Sequence, residues 1–199
     1  MKLTRSFYER DDVLLIARDL LGKWLCTNIG NHLTIGVITE VEAYRGRNDQ
    51  ACHANNNRRT LRTEVMYGRG GVAYVYLCYG IHHLFNIVTN REGLADAVLI
   101  RSIQPISGMD VMVSRRNVKK ESPLMSSGPG SMSKSLGITT ELYGTDLLGN
   151  TIWVEDQGIE VAKSDLMESP RIGVEYAGED AKLPWRFFLR DNQFVSKRK

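Results

Sequence analysis

The sequence predicts one compact domain of mixed α/β (α+β) class that spans residues 1–199. Its length, with 42% hydrophobic and 25% charged residues, is that of an ordinary globular domain able to bury a core. Short apolar runs bounded by turn residues recur along the chain, which predicts strands. A few segments with helical periodicity lie between these runs. We therefore expect helices that flank a largely antiparallel sheet.

Each predicted element rests on a local signal. A helix is predicted over residues 13–21, because Asp11 or Asp12 can cap it and its apolar residues lie on one face. Two further helices are predicted, one over residues 108–118 and a short one that ends at Leu136 after a Gly-Pro-Gly approach. Strands are predicted at residues 23–29, 33–41, 72–79, 84–89, 95–103, 151–155, 172–174 and 185–189.

A long basic loop is predicted over residues 45–71, which are polar and rich in Asn and Gly, with room for a helical turn. The net charge of the whole chain is only +3, but this segment holds a local excess of arginine. Six arginines oppose two acids there: Arg45, Arg47, Arg58, Arg59, Arg62 and Arg69 against Asp49 and Glu64. Smaller basic clusters follow at residues 115–120 and 197–199. Guanidinium groups suit phosphate binding, although a solvated basic face is the alternative.

The cysteines predict neither a zinc site nor a disulfide framework. Cys26, Cys52 and Cys78 are widely spaced and form no Cys-x-x-Cys pair or Cys/His ligand pattern. An odd number of cysteines without a secretory signal favours a reducing, intracellular location. No segment has the apolar length of a membrane span. We therefore expect no metal, no cofactor and no membrane partner.

Glu42 is a candidate acid–base residue, because it follows the apolar residues of a predicted strand and precedes the basic loop. Burial and neighbouring arginines would shift its protonation in opposite directions, and a carboxylate in such a place can act as a base on water. The position of Glu42 alone is explained more simply by a salt bridge with an arginine. Glu40 is a competing candidate for the acid–base role. Arg101, at the end of another predicted strand, could hold a substrate, a water or an acid, or could cap the surface.

Several aromatic side chains could bind a flat heterocycle. Tyr44, His53 and Tyr76 lie near the candidate acid and the basic loop, and base stacking on such rings contributes about 1 to 3 kcal/mol per base. Tyr79 ends a predicted strand beside a turn glycine, where its ring could project outward. Tyrosines packed in a pleated core are the simpler interpretation of the same pattern.

Five segments in consecutive order carry a resemblance to a known family. They are ITEVEAYRGRNDQACH, RRTLRTEVMYGRGGVAYVYLCYGIHHLFNIV, AVLIRSIQP, SSGPGSMSKSLGI and RIGVEYAGEDAKLPWRFFLR. Together they cover nearly the whole chain, and the sequence resembles the alkyladenine (3-methyladenine) DNA glycosylases. One departure is the run Ala-Asn-Asn-Asn after His53, where many relatives carry glycines. Asparagine tolerates left-handed backbone geometry better than most residues, so the loop can keep its shape.

The resemblance implies a monofunctional glycosylase that removes damaged purines from duplex DNA, leaves an abasic site and has no lyase step. It also implies a curved antiparallel sheet with a protruding β-hairpin, a monomer, and a location with the DNA. The resemblance implies that Glu42 is the general base. It also implies that Arg101 and the backbone carbonyl of Ile172 help to hold the attacking water. The other roles fall on the pocket residues Tyr44, His53, Tyr76 and Asn86, and on the wedge Tyr79. Phosphate contacts are expected from Arg58, Arg59, Arg62 and Arg69.

Two other functions fit some of the same residues. A damaged-nucleic-acid binding protein without chemistry would use the arginines and tyrosines but leave Glu42 idle. A hydrolase of free nucleosides would need neither the basic loop nor the wedge.

Overall fold

The computed structural model describes residues 1–196, so the basic residues 197–199 lie outside the described part of the chain. It confirms the mixed α/β class and the mainly antiparallel sheet. The helices are α1 (Arg5–Tyr8), α2 (Val13–Leu20), α3 (Met109–Arg116) and α4 (Pro129–Leu136). The strands are β1 (Trp24–Ile29), β2 (His32–Tyr44), β3 (Ala73–Cys78), β4 (His82–Thr89), β5 (Asp96–Ser107), β6 (Ile152–Glu155), β7 (Leu166–Ser169) and β8 (Arg186–Leu189).

One eight-stranded sheet organises the molecule. Its strand order is β3-β4-β5-β2-β1-β6, with β8 paired to the C-terminal part of β2 and β7 paired to β8. Neighbouring strands run antiparallel throughout this order. The long strand β2 lies near the middle of the sheet, so its end is held by β5 on one side and by β8 on the other.

The main core lies between the sheet and the helices α2, α3 and α4. Helix α2 shows why the sequence folds this way, because Val13, Ile16, Ala17 and Leu20 fall on one buried face. The side chain of Asp12, rather than Asp11, caps this helix by accepting hydrogen bonds from the second and third backbone N–H groups of its first turn.

A second, smaller core fixes the long loop to the sheet. Its buried members are Cys52, Ala54, Met66, Tyr67, Tyr74, Val88, Ala95 and Ala97. Within the loop, the helical turn expected from the sequence occurs twice as short 3₁₀ segments, Asn55–Asn57 and Glu64–Tyr67. Asn56 and Asn57 have φ of 55° and 57°, which is the left-handed geometry that asparagine tolerates.

The hairpin of β3 and β4 ends in an exposed tip. Tyr79 and Gly80 occupy the two central turn positions with φ of 50° and 72°, and the N–H of Ile81 donates to the carbonyl of Cys78. Tyr79 is 90% exposed and Ile81 is 71% exposed. Such exposure of two large apolar side chains at one tip indicates a contact surface.

The predicted strand at residues 172–174 is wrong. The segment is irregular, and Gly173 has a φ of 77°, which breaks an extended run. A strand that was not predicted, β7, precedes this segment, and its residues alternate too weakly between buried and exposed positions to signal a strand. Strand β2 also extends beyond the predicted end at residue 41, so that Glu42 lies within the strand. Within residues 1–196 no helix combines the length and apolarity needed to cross a bilayer.

Candidate active site

Glu42 lies completely buried near the end of β2, and three donors surround its carboxylate. The hydroxyl of Tyr44 donates to Oε2 at 2.8 Å, and the backbone N–H of Ile172 donates to Oε1 at 2.7 Å. Nη1 of Arg101 lies 3.1 Å from Oε1. Hydrogen bonds to an ionised group are stronger than neutral ones, so these contacts fix the carboxylate in one orientation.

Glu40, the competing candidate, is a structural counter-ion. Its carboxylate accepts from Nε of Arg101 at 2.9 Å and from Nε of Arg186 at 2.6 Å. It also accepts from the hydroxyl of Ser102 at 2.8 Å and from the N–H and hydroxyl of Ser196 at 2.7 Å each. Burial opposes its charge, but Arg101 and Arg186 outweigh burial and hold the pKa of Glu40 below its ordinary value. With its oxygens occupied by these donors, Glu40 serves to orient Arg101.

An irregular stretch of the sheet lets Arg101 reach both acids. The β2–β5 ladder shifts register on each side of Glu40, and Arg101 has no opposite residue on β2. Such bulges re-aim side chains that regular pleating would hold apart. Arg101 is only 6% exposed and contacts both carboxylates.

A buried ion pair holds the segment that carries Ile172. The guanidinium of Arg171 binds both oxygens of Asp49, at 2.7 and 2.8 Å, and donates to the carbonyl of Ala43 at 3.0 Å. It also stacks 4.8 Å from the ring centroid of Tyr44. Because Arg171 precedes Ile172, this pair fixes the N–H that contacts Glu42.

The aromatic residues predicted to bind a base lie around one cavity of about 520 Å³. Tyr44, His53, Tyr76 and Asn86 all line it. The rings of His53 and Tyr76 meet edge to face, with centroids 4.8 Å apart. A planar base needs about 3.5 Å on each face, so these two rings must separate before a base can lie between them.

The charge states of the aromatic polar groups follow from their surroundings. Burial and the adjacent Glu42 raise the pKa of Tyr44 well above its ordinary value, so its hydroxyl remains a donor. Burial, with smaller contributions from Arg62 and Arg58, lowers the pKa of His53 to about 4. His53 is therefore neutral near pH 7, and its Nδ1 lies 2.8 Å from the hydroxyl of Tyr74.

Asn86 lies on β4 at the cavity wall and is 4% exposed. Its side-chain N–H donates to the carbonyl of Tyr74 at 3.1 Å, which fixes the orientation of the amide. The exposed Tyr79 lines the mouth of the same cavity.

The predicted phosphate-binding arginines differ in their surroundings. Arg69 pairs with Glu9 at 2.8 Å, and Arg59 stacks on Tyr67 and lies 3.9 Å from Glu64. Within residues 1–196, neither Arg58 nor Arg62 pairs with a carboxylate. Arg62 instead reaches into the cavity.

Sequence reasoning missed some residues of this site. Arg171, Asp49 and Tyr74 had no role assigned. A signal for Tyr74 exists in the sequence, because strand alternation places it on the same face as Tyr76. The start of α4, with Gly128 and Ser131, also lines the cavity. Within the described residues, no group of three or more His, Cys, Asp or Glu side chains is arranged to hold a metal ion.

An aromatic cavity lined by the three residues that hold a buried carboxylate, beside a basic loop, is typical of an enzyme that acts on a flat heterocycle of nucleic acid. Comparison with known proteins gives the family. Residues 6–193 match the model of the methylpurine-DNA glycosylase (MPG) family. The chain therefore belongs to that family of DNA glycosylases, which are hydrolases of N-glycosyl bonds in base excision repair.

Curated relatives agree over almost the full length. A protein of Chlamydia felis named "Putative 3-methyladenine DNA glycosylase" is 46% identical over 188 residues, covering 94% of this chain and 95% of its own. A protein of Carboxydothermus hydrogenoformans with the same name is 46% identical over 198 residues, covering 100% of both chains. Another with that name, from Clostridium acetobutylicum, is 40% identical over 203 residues and covers 98% of both.

Proposed function

We propose that this chain is a monofunctional DNA glycosylase that excises alkylated or deaminated purines from duplex DNA and leaves an abasic site. A DNA substrate implies that it acts inside the cell, and we expect it to act as a monomer without a cofactor. The observation that carries the proposal is the buried carboxylate of Glu42, held by three donors, Tyr44, Arg101 and Ile172, that all line the aromatic cavity. A buried carboxylate is costly unless it is paired and hydrogen-bonded, and the three donors provide these partners.

The substrate bond lies inside a stacked duplex, so the damaged nucleotide must rotate out before it can enter the cavity. Tyr79 at the hairpin tip would fill the space that the base leaves, because a flat ring replaces part of the lost stacking. The loop arginines Arg58, Arg59 and Arg69 would contact phosphates on either side, whereas Arg62, also predicted as a phosphate contact, lines the cavity. The 90% exposure of Tyr79 at the cavity mouth supports this role.

The flipped purine would stack against Tyr44 and His53 on one side and Tyr76 on the other, after the contact between His53 and Tyr76 has opened. Asn86 would reject guanine, because its fixed amide would clash with the 2-amino group and leave polar groups unpaired.

In the chemical step, Oε2 of Glu42 would accept a proton from water. Among the described residues this oxygen accepts only from Tyr44, so it keeps a lone pair for that water. The water oxygen bonds to C1′, and the electron pair of the glycosidic bond leaves with the purine. The carboxylate also faces the positive charge that develops on the sugar.

Arg101 and the backbone of Ile172 would hold the water next to the carboxylate of Glu42. A lyase step would need an amine that forms a Schiff base. We propose that the reaction stops at hydrolysis, because the mechanism assigns no lysine as a nucleophile.

The test is the isosteric change Glu42→Gln, assayed on a duplex with one hypoxanthine. We expect excision to fall by about 10²- to 10⁴-fold, the usual contribution of a general base, while binding of the lesion duplex is retained. Glu160→Gln, at an exposed position, is the matched control and should excise normally. Unchanged turnover in Glu42→Gln would refute the proposed role of Glu42.

The competing proposal is a reader of damaged DNA that binds without cutting. Alkali breaks DNA at abasic sites, so wild-type protein incubated with the lesion duplex and then treated with alkali distinguishes the two. Breaks at the lesion support the enzyme, and tight binding without breaks supports the reader.

A further inference from the structure

Arg62 occupies the aromatic face that a purine would use. Its guanidinium lies 4.5 Å from the ring centroid of Tyr76. Nε of Arg62 donates to the hydroxyl of Tyr74 at 3.3 Å, and Nη2 lies 3.2 Å from Nε2 of His53. Among residues 1–196, no carboxylate neutralises Arg62. Arg62 is exposed to solvent and therefore places a positive charge without a carboxylate partner, among those residues, at the aromatic wall of the cavity.

The charge of Arg62 affects the pKa of the neighbouring His53 imidazole. The pKa of His53 is lowered to about 4. Burial is the largest cause, and the charge of Arg62 is the next largest. A guanidinium can only donate hydrogen bonds, so its contact with Nε2 is favourable when the imidazole is neutral. An environment that disfavours a cationic imidazole will also disfavour a cationic purine stacked in the same place.

Arg62 can also donate hydrogen bonds to the edge of a bound purine. Arginine donates well to the O6 and N7 atoms of 6-oxopurines, as in the recognition of guanine. Hypoxanthine is neutral and keeps both acceptors. 7-Methylguanine carries a positive charge, and its N7 is blocked by the methyl group. The cation–π attraction that could hold a cationic base on Tyr76 is already used by Arg62.

We infer that Arg62 determines specificity, because its charge biases the cavity toward neutral purines with free acceptor atoms and against cationic alkylated bases. The inference rests on the proposed function and narrows its substrate class. Arg62 also lines an adjoining cavity of about 460 Å³, together with Arg58 and Thr60. The guanidinium thus has space beside it when a base displaces it from Tyr76.

The experiment compares excision from two duplexes that differ only in the lesion, hypoxanthine or 7-methylguanine. We expect Arg62→Gln to raise the ratio of kcat/KM for 7-methylguanine to that for hypoxanthine by about tenfold, the order of discrimination that one bidentate arginine gives. Arg62→Lys keeps the charge and should stay nearer to the wild-type ratio. A Lys variant that shifts the ratio as far as the Gln variant would overturn the role of charge.

Arg59→Gln is the matched control, because Arg59 also stacks on a tyrosine, Tyr67, but does not line the cavity. It can weaken DNA binding for both lesions, but the ratio should stay constant. An equal shift of the ratio in Arg59→Gln, or a ratio within twofold of wild type in Arg62→Gln, would overturn the inference.

A titration separates this inference from the proposed function. The NMR signals of His53 should show a higher pKa in Arg62→Gln than in the wild type, and the same spectra report whether the variant is folded. An unchanged pKa would show that Arg62 imposes no positive potential on the cavity and would overturn the inference. Wild-type protein that excises neither lesion would instead refute the proposed function.

Discussion

At the scale of single residues, the site depends on two buried acids with different tasks and on the arginines that hold them. Glu40 accepts hydrogen bonds from several donors at both oxygens, whereas Oε2 of Glu42 accepts, among the described residues, only from Tyr44, which lines the cavity. The sequence places both acids two positions apart on one strand, so alternation alone cannot distinguish them. The distinction comes from partners distant in the chain, such as Arg186 and Ile172.

The pair of Arg171 and Asp49 gives a prediction at this scale. Both side chains are completely buried, so Arg171→Met leaves the Asp49 charge without its partner. We expect the free energy of unfolding to fall by about 3 to 5 kcal/mol, as for other broken buried pairs. The double change Arg171→Met with Asp49→Leu should recover much of this loss, because neither charge remains buried.

Urea denaturation measures these differences. Arg91→Met is the matched control, because Arg91 pairs with Asp11 at the surface and should matter little. If Arg171→Met were as mild as Arg91→Met, the pair would not be the anchor of the segment that carries Ile172.

At the scale of elements, the sequence predicted those strands and helices whose signals are local. Helix α2 and the hairpin of β3 and β4 follow from capping, periodicity and turn residues close by in the chain. The strand expected at residues 172–174 failed for a physical reason. There the N–H of Ile172 bonds to the carboxylate of Glu42 instead of a neighbouring strand, and Gly173 turns the chain. Contacts of this kind between residues far apart in the chain override local propensity.

The hairpin tip gives a prediction at this scale. Tyr79→Ser removes the ring proposed to replace the flipped base. Because stacking contributes about 1 to 3 kcal/mol per base, we expect excision of hypoxanthine from a fully paired duplex to fall about tenfold to a hundredfold. The loss should be smaller when the lesion lies in a single-stranded oligonucleotide, which needs no wedge.

The matched control is Leu124→Ser, which removes an apolar side chain that is 75% exposed but lies outside the hairpin. Neither change should alter the melting temperature, because both side chains are largely in solvent. If Tyr79→Ser lost as much activity relative to the wild type on the single-stranded substrate as on the paired one, Tyr79 would not act as a wedge.

At the scale of the whole molecule, the sheet brings together residues that lie far apart in the chain. Glu42 lies on β2, Arg101 on β5, Asn86 on β4 and Ile172 on a loop between β7 and β8. Residue patterns alone offered Glu42 and Arg101 as separate candidates, whereas Asn86 and Ile172 were assigned only by the resemblance to a family. Local patterns could not predict that they meet, because strand order and register are set by long-range pairing.

The molecule also brings a basic loop to the mouth of the cavity, and this arrangement predicts how binding responds to salt. A protein that contacts several phosphates releases counterions, so the logarithm of its affinity falls linearly with the logarithm of the salt concentration. Arg58 is exposed and, among residues 1–196, pairs with no carboxylate, so its charge is available to DNA. Arg58→Gln should therefore reduce the magnitude of this slope by about one.

Fluorescence anisotropy with undamaged duplex between 50 and 200 mM salt measures the slope, because phosphate contacts do not depend on the lesion. Arg91→Gln removes an equal charge outside the loop, from an arginine paired with Asp11, and should leave the slope unchanged. A slope that changes by the same amount in both variants would mean that DNA responds to total charge alone. A reduction confined to Arg58→Gln would assign the DNA-binding face to the side of the sheet on which the cavity opens, as the proposed path of the flipped purine requires.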